Sequence, residues 1–276
     1  MPAVTHGAVP RRRKRFGQHF LHDPRILTRI VAALAARPGD HLVEIGPGRG
    51  ALTERLLALR GCTLDAIEID RDLAAQLRGR FSGAPDHALH VGDALEFDFG
   101  ALARARGGRL RIVGNLPYNI STPLLFHLLR HVTAITDLTV MLQREVVARI
   151  AAAPGDADYG RLTVMLAPQL QAERLFDVGP GAFQPPPRVW SAVVRLIVRA
   201  QPLFPVTPQY AAVVAAAFAQ RRKTLRNALS QIVTAEEIGA CAIDPQARPG
   251  TLPPEAFSAL AQAADRAALD RARGER

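Results

Sequence analysis

Short apolar runs alternate with stretches of helical spacing along most of the chain. Asp23-Pro24 has the form of a helix cap and first helical residue, and Ile26, Leu27, Ile30, Val31 and Leu34 then recur on one helical face. His41–Ile45 reads as a strand, Gly46-Pro47-Gly48-Arg49-Gly50 as a turn, and Leu52, Leu56, Leu57 and Leu59 predict the helix that follows. The cycle repeats with a strand at Leu64–Asp70, a helix over 71–80 and a strand at Ala88–Val91 closed by Gly92-Asp93. Further strands are predicted at Leu110–Val113 and Leu138–Leu142, with helices from Pro123 through Leu129 and over Gln143–Ile150. Strands alternating with helices in this way predict an α/β fold with a parallel sheet and right-handed crossovers.

The pattern changes beyond Pro154. Leu162–Ala167 and Arg174–Val178 are apolar, but periodicity alone does not decide their type. Phe183–Val189 contains three consecutive prolines and reads as a stiff loop, and Ser191–Val198 as the last strand of the sheet. Pro202, Pro205 and Pro208 mark a linker, after which Val213–Phe218, Leu225–Ile232 and Phe257–Leu269 show only helical patterns. The expected organisation is a basic, disordered tail over 1–15, an α/β domain over 16–201 and a small all-helical domain over 202–276.

Composition narrows the class. The 276 residues carry a formal charge of +10, which points to an anionic partner, most simply nucleic acid. Only Lys14 and Lys223 are lysines, so the total charge says more than the arginine identity does. Arg11, Arg12, Arg13, Lys14 and Arg15 form one cation cluster; Arg221, Arg222 and Lys223 begin a second, read as the start of a basic helix. Solvated charge runs are common, but on a basic protein these two are candidates for RNA phosphates. Cys62 and Cys241 stand apart without ligand spacing, which argues for a reducing compartment and against a disulfide framework or a cysteine zinc site. No apolar run approaches the roughly 18–20 residues of a membrane span. A cytoplasmic protein without metal or membrane attachment is expected.

Four strand ends carry polar residues in register. Glu44-x-Gly46-x-Gly48-x-Gly50 is a glycine turn between strand and helix, whose backbone can approach a ligand closely. Its spacing suits S-adenosylmethionine better than a dinucleotide, because no pyrophosphate has to be cradled. Glu68 ends the second strand, placed to accept ribose hydroxyls, and Asp93 follows the third, where a carboxylate can accept from an adenine amine. Each alone is a common surface feature; together they mark a nucleoside-cofactor site. Asn115-Leu116-Pro117-Tyr118 falls at the next strand end. An exocyclic adenine amine is a poor nucleophile because its lone pair is delocalised into the ring. The Asn115 oxygen and a carbonyl near Leu116 can draw its N–H groups toward tetrahedral geometry, while Tyr118, with Phe183 as a second aromatic, can stack on the unstacked base.

The segments RFGQHFL, EIGPGRGALT, GNLPYNIST, FQPPPRVWSAVVRL and QRRKTLRNAL resemble the rRNA adenine N6-dimethyltransferase family, most closely its bacterial 16S form. The resemblance spans about residues 12 to 230. It implies a Rossmann-like, seven-stranded methyltransferase sheet with a small helical C-terminal domain for rRNA recognition. It further implies S-adenosylmethionine contacts at His19, Leu21, Gly46, Glu68, Asp93 and Asn115. His19 departs from the family, which usually has Asn there. The implied activity is dimethylation of two adjacent adenosines in the 3′-terminal hairpin of 16S rRNA, within a pre-30S particle, by a monomer. The alternatives are the related 23S rRNA methylation, a non-catalytic assembly or transcription factor on the same fold, and a DNA adenine methyltransferase.

Overall fold

The computed structural model describes residues 18–84 and 86–274. Arg11 to Arg15, and with them the expected basic tail, lie outside the described residues. The elements in chain order are β1 (Phe20–Leu21), α1 (Pro24–Leu34), β2 (His41–Ile45), α2 (Ala51–Leu57), β3 (Thr63–Glu68), α3 (Arg71–Phe81) and β4 (His87–Val91). They continue with α4 (Phe99–Arg106), β5 (Leu110–Asn115), α5 (Ser121–Arg130), β6 (Ile135–Gln143), α6 (Arg144–Ala151), α7 (Arg161–Leu166), β7 (Leu170–Val178), β8 (Phe183–Gln184) and β9 (Ser191–Val198). The remainder is helical: α8 (Pro208–Ala219), α9 (Leu225–Ala228), α10 (Ala235–Ala240) and α11 (Pro254–Gly274).

A seven-stranded sheet runs in the order β4-β3-β2-β5-β6-β9-β7, and β1 pairs with β8 in a separate two-stranded ribbon. The pairs β4/β3, β3/β2, β2/β5 and β5/β6 are parallel. Parallel strands need covered faces, and β2, β3 and β5 are accordingly buried along nearly their whole length. Their shared direction brings the carboxyl ends of β2, β3, β4 and β5 to one edge, where such sheets bind ligands. Local signals set the helix starts: Asp23 caps α1 through Arg25 N (2.8 Å), and Asp70 caps α3 through Asp72 N (2.9 Å).

The chain divides into two compact units, Met1–Arg144 with Leu175–Arg195 and Glu145–Arg174 with Leu196–Arg276. In the second, α8 packs on α11, α7 and α9. Tyr159 and Tyr210, both buried there, donate their hydroxyls to the carbonyls of Leu252 and Val164 at 2.7 Å. The two undecided segments separate into a helix, α7, and a strand, β7. The basic stretch at 221–223 is not helical. Helix α8 ends at Ala219, Lys223 N closes a turn on Gln220 O at 2.8 Å, and Thr224 is extended before α9 begins.

At the amino edge of the first unit's sheet, an ion network joins neighbouring strands. Arg111 on β5 faces Asp137 on β6 in two hydrogen bonds of 2.9 and 2.7 Å, and also reaches Asp40 at 2.6 Å. Arg195 on β9 donates to the same Asp137 at 3.0 Å. Burial alone would raise the Asp40 pKa, but donors from Arg37 and Arg111 hold it below the ordinary carboxylate range. Arg111→Met should destabilise the protein by about 3 kcal/mol in urea unfolding, because buried Asp137 loses its bidentate partner.

Candidate active site

The carboxyl edge of the sheet holds a cavity walled by β1, the ends of β2, β3 and β5, and the turn after β4. The glycine turn after β2 takes left-handed backbone angles, φ +70° at Gly46 and +58° at Gly48. A side chain at Gly48 would place its Cβ 3.0 Å from the Phe20 ring, so the turn and β1 close on each other only with glycine there. Gly48 N donates to one oxygen of Glu68 at 3.0 Å and Asp70 N to the other at 2.9 Å. Two backbone donors fix this carboxylate at the end of β3, and the remaining lone pairs can serve a ligand hydroxyl pair. Burial, the largest influence, keeps the Glu68 pKa above its usual value even with these donors.

Glu44, on β2, is buried behind the turn and accepts from Thr53 Oγ1 of α2 at 2.6 Å. Burial, reinforced by the charge of Glu68 and opposed by the Thr53 bond, pushes its pKa up to about 8. A carboxyl raised on folding keeps its proton where the unfolded chain has lost it, so its contribution to stability falls as pH rises from the ordinary value of 4.5 toward 8. Glu44→Gln should flatten the decline in urea-unfolding free energy across that window.

Asn115 closes β5. Its Nδ2 donates to the His19 carbonyl at 2.9 Å, which fixes the amide orientation because a carbonyl can only accept. Asn115 Oδ1 is then buried at the cavity wall with no hydrogen-bond partner. A buried acceptor without a donor costs about 1–3 kcal/mol. An N–H group brought into the cavity would recover that cost. Leu116 is buried and its N–H is spent on Met141 O at 3.1 Å. Tyr118 is held at both ends: its hydroxyl meets Ser191 Oγ at 2.6 Å, and its ring stacks on His19 with centroids 5.8 Å apart. Burial raises the Tyr118 pKa, so the phenol is neutral at ordinary pH and serves as a surface rather than as a base. His19 Nδ1 donates to Pro185 O at 2.8 Å, which ties the ring to the loop after β8.

A family model described as ribosomal RNA adenine dimethylase matches residues 9–265. The chain belongs to the ribosomal RNA adenine dimethylase family. The ribosomal RNA small subunit methyltransferase A of Pseudomonas aeruginosa is 53% identical over 253 residues, covering 91% of this chain and 94% of the relative. A solved dimethyladenosine transferase from Plasmodium falciparum matches with a TM-score of 0.77 at 25% identity, over 88% of this chain and 96% of that one. A solved 23S rRNA methyltransferase, ErmE, matches with a TM-score of 0.69 at 27% identity, over 89% and 99% of the two chains.

In this adenine dimethylase the structure brings His19, Leu21, Gly46, Glu68, Asp93, Asn115, Leu116, Pro117 and Tyr118 to one cavity. It does not bring Phe183 there. That residue lies in β8 against Leu21, is 3% exposed, and packs in the core with Leu27, Val178 and Val193. Arg221 spends its guanidinium on the carbonyls of Asp156 and Ala157, while Arg222 and Lys223 are exposed. Among the described residues no three His, Cys, Asp or Glu side chains converge as metal ligands. Three cavity residues carry weak signals in the sequence. Phe20 sits under the Arg49 guanidinium at 4.5 Å, Ile69 stands 43% exposed beside Glu68, and Ala94 follows Asp93. Only the apolar residue directly after an acidic strand end, Ile69, offered a usable clue.

Proposed function

We propose that this protein, a small-subunit rRNA adenine dimethyltransferase by family and by its close relatives, transfers two methyl groups to N6 of each of two adjacent adenosines. The observation that carries the mechanism is the Asn115 amide: its nitrogen is pinned and its oxygen is buried, unpartnered and at the cavity wall. S-adenosylmethionine supplies an electrophilic methyl on a sulfonium whose thioether leaves as a neutral group. Residues of the chain hold and align. Glu68 accepts the ribose hydroxyls, Asp93 the cofactor's adenine amine, and Ile69 offers an apolar wall to its ring. The Gly46–Gly48 turn lets backbone lie close to the methionine portion, and His19 and Leu21 close the cavity from β1.

Asn115 Oδ1 accepts an N–H of the target adenine and so turns the N6 lone pair toward the methyl group, with alignment providing most of the rate. Tyr118, buttressed by His19 and Ser191, presents its ring to the base. No residue needs to act as a strong base, because the methylated nitrogen is acidic enough to lose its proton to water. The acceptor RNA is the 3′-terminal hairpin of 16S rRNA in a pre-30S particle, reached in the cytoplasm by a monomer. Residues 202–276 and the basic tail contribute phosphate contacts. Arg222→Ala and Lys223→Ala should each lower the slope of log affinity against log salt by about 1, as measured by small-subunit binding.

Labelled S-adenosylmethionine incubated with undermethylated small subunits, followed by nucleoside analysis, tests the reading. Dimethyladenosine at two adjacent positions is expected. Label confined to 23S rRNA would overturn the substrate, and an absence of methylated adenosine would overturn the activity.

A further inference from the structure

The loop over residues 185–191 is tied at both ends to the same aromatic pair. Pro185 O receives His19 Nδ1–H at 2.8 Å, and Ser191 Oγ bonds the Tyr118 hydroxyl at 2.6 Å. The rings of His19 and Tyr118 stack at the cavity wall, so the segment between these anchors runs directly behind that wall, without lining the cavity itself. Pro187 is buried and pins its middle, while Arg188, Val189 and Trp190 face outward. Trp190 is 49% exposed, yet it is held in place. Its carbonyl accepts from Arg144 N at 2.9 Å, its ring passes 3.5 Å from where a Cβ on Gly179 would stand, and the Arg144 guanidinium lies 5.8 Å from the ring centroid.

A large aromatic surface left half open, with its backbone fixed, is matched to a flat partner. Exposed Arg144 lies beside the ring and Arg188 is exposed two residues before it in the chain, which favours a base on an anionic chain over an apolar protein surface. We propose that Trp190 is the stacking platform for the nucleobase adjacent to the adenosine whose amine enters the cavity. This rests on the rRNA reading above. Drawing one adenine out of a stack strips a neighbouring base of its partner, and a fixed aromatic face one residue from the serine that holds Tyr118 replaces the lost stacking. Trp190 acts as a positioning residue and takes no part in bond making.

Trp190 is the only tryptophan of the chain, so emission excited at the red edge, where the three tyrosines do not absorb, reports this site alone. With S-adenosylhomocysteine present to prevent turnover, the full chain is titrated with an RNA hairpin carrying two adjacent loop adenosines. Emission should fall and saturate in step with filter binding. The same hairpin with one of the two adenosines made abasic should bind about ten-fold more weakly and quench less. With undermethylated small subunits, Trp190→Ala should raise the RNA KM about ten-fold while kcat at saturation stays near wild type, and Trp190→Phe should restore most of the loss. Unchanged emission at saturating hairpin, or a wild-type KM for Trp190→Ala, would overturn the platform while leaving the methyltransferase reading intact. Should the free hairpin not bind, the KM comparison decides. A wild-type protein that methylates no rRNA adenosine would sink both.

Discussion

Asn115→Ala is expected to lower kcat for rRNA methylation by about 10²–10³-fold, far more than it weakens S-adenosylhomocysteine affinity, while leaving small-subunit binding nearly unchanged. The substitution removes an oxygen that is buried at the cavity wall and bonded to nothing else, so little besides its contact with the incoming amine is lost on that side. The Nδ2 bond to His19 O is lost as well, and it ties β5 to β1. Asn115→Asp separates the two effects. It keeps the acceptor and loses the donor, and a carboxylate in this buried position also carries an unwanted charge. Single-turnover rates with prebound small subunits measure the chemical step directly. A rate for Asn115→Ala within a few-fold of wild type would mean that the amine is aligned by something other than this amide.

Gly114→Ala should be more disruptive than any side-chain truncation at the site, with a loss of upwards of about 4 kcal/mol in unfolding free energy or no folded protein at all. Gly114 has φ +158° and lies in β5, between β2 and β6. A Cβ there would stand 2.4 Å from the backbone oxygen of Ile45. That oxygen belongs to a central strand and cannot swing away as a long side chain would. The neighbouring strands would have to separate just where Gly46 and Asn115 approach, and a Cβ on Gly46 would already stand 3.8 Å from Asn115 O. Circular dichroism with urea unfolding distinguishes partial from complete loss. A variant with wild-type stability would show that β2 and β5 have slack at this point. Gly83→Ala is the control, since a Cβ there meets nothing within 4 Å and its backbone is not in the left-handed region.

Much of this was legible along the chain because strand ends in a parallel sheet are ordered by the sequence itself. Once His41–Ile45, Leu64–Asp70, Ala88–Val91 and Leu110–Val113 are read as parallel strands, Gly46, Glu68, Asp93 and Asn115 must share an edge. What stayed hidden lacks periodicity. Helix α4 has only Leu102 among alanine, arginine and glycine after Phe99 and shows little contrast between its faces. The ribbon of β1 and β8 is two residues long on each side, with its partners 164 and 162 positions apart (Phe20 against Gln184, Leu21 against Phe183). Phe183 carries the same ambiguity: an aromatic before a proline loop fits a base platform or a core position equally well, and only its contacts with Leu21 and Val178 put it in the core.

The sequence by itself determined the class of fold, the glycine turn with its acidic strand ends, and the place of the Asn-Leu-Pro-Tyr segment at the next strand end beside them, because each depends on local spacing and strand direction. Tertiary structure alone decided which atoms are free. It spent the Asn115 nitrogen on His19 and left the oxygen bare, clamped Glu68 between Gly48 and Asp70, tied Tyr118 to Ser191, and left Trp190 half exposed next to that serine. Hydrogen bonds between residues distant in sequence set those assignments, and no local pattern encodes which of two amide atoms a fold will leave for its substrate.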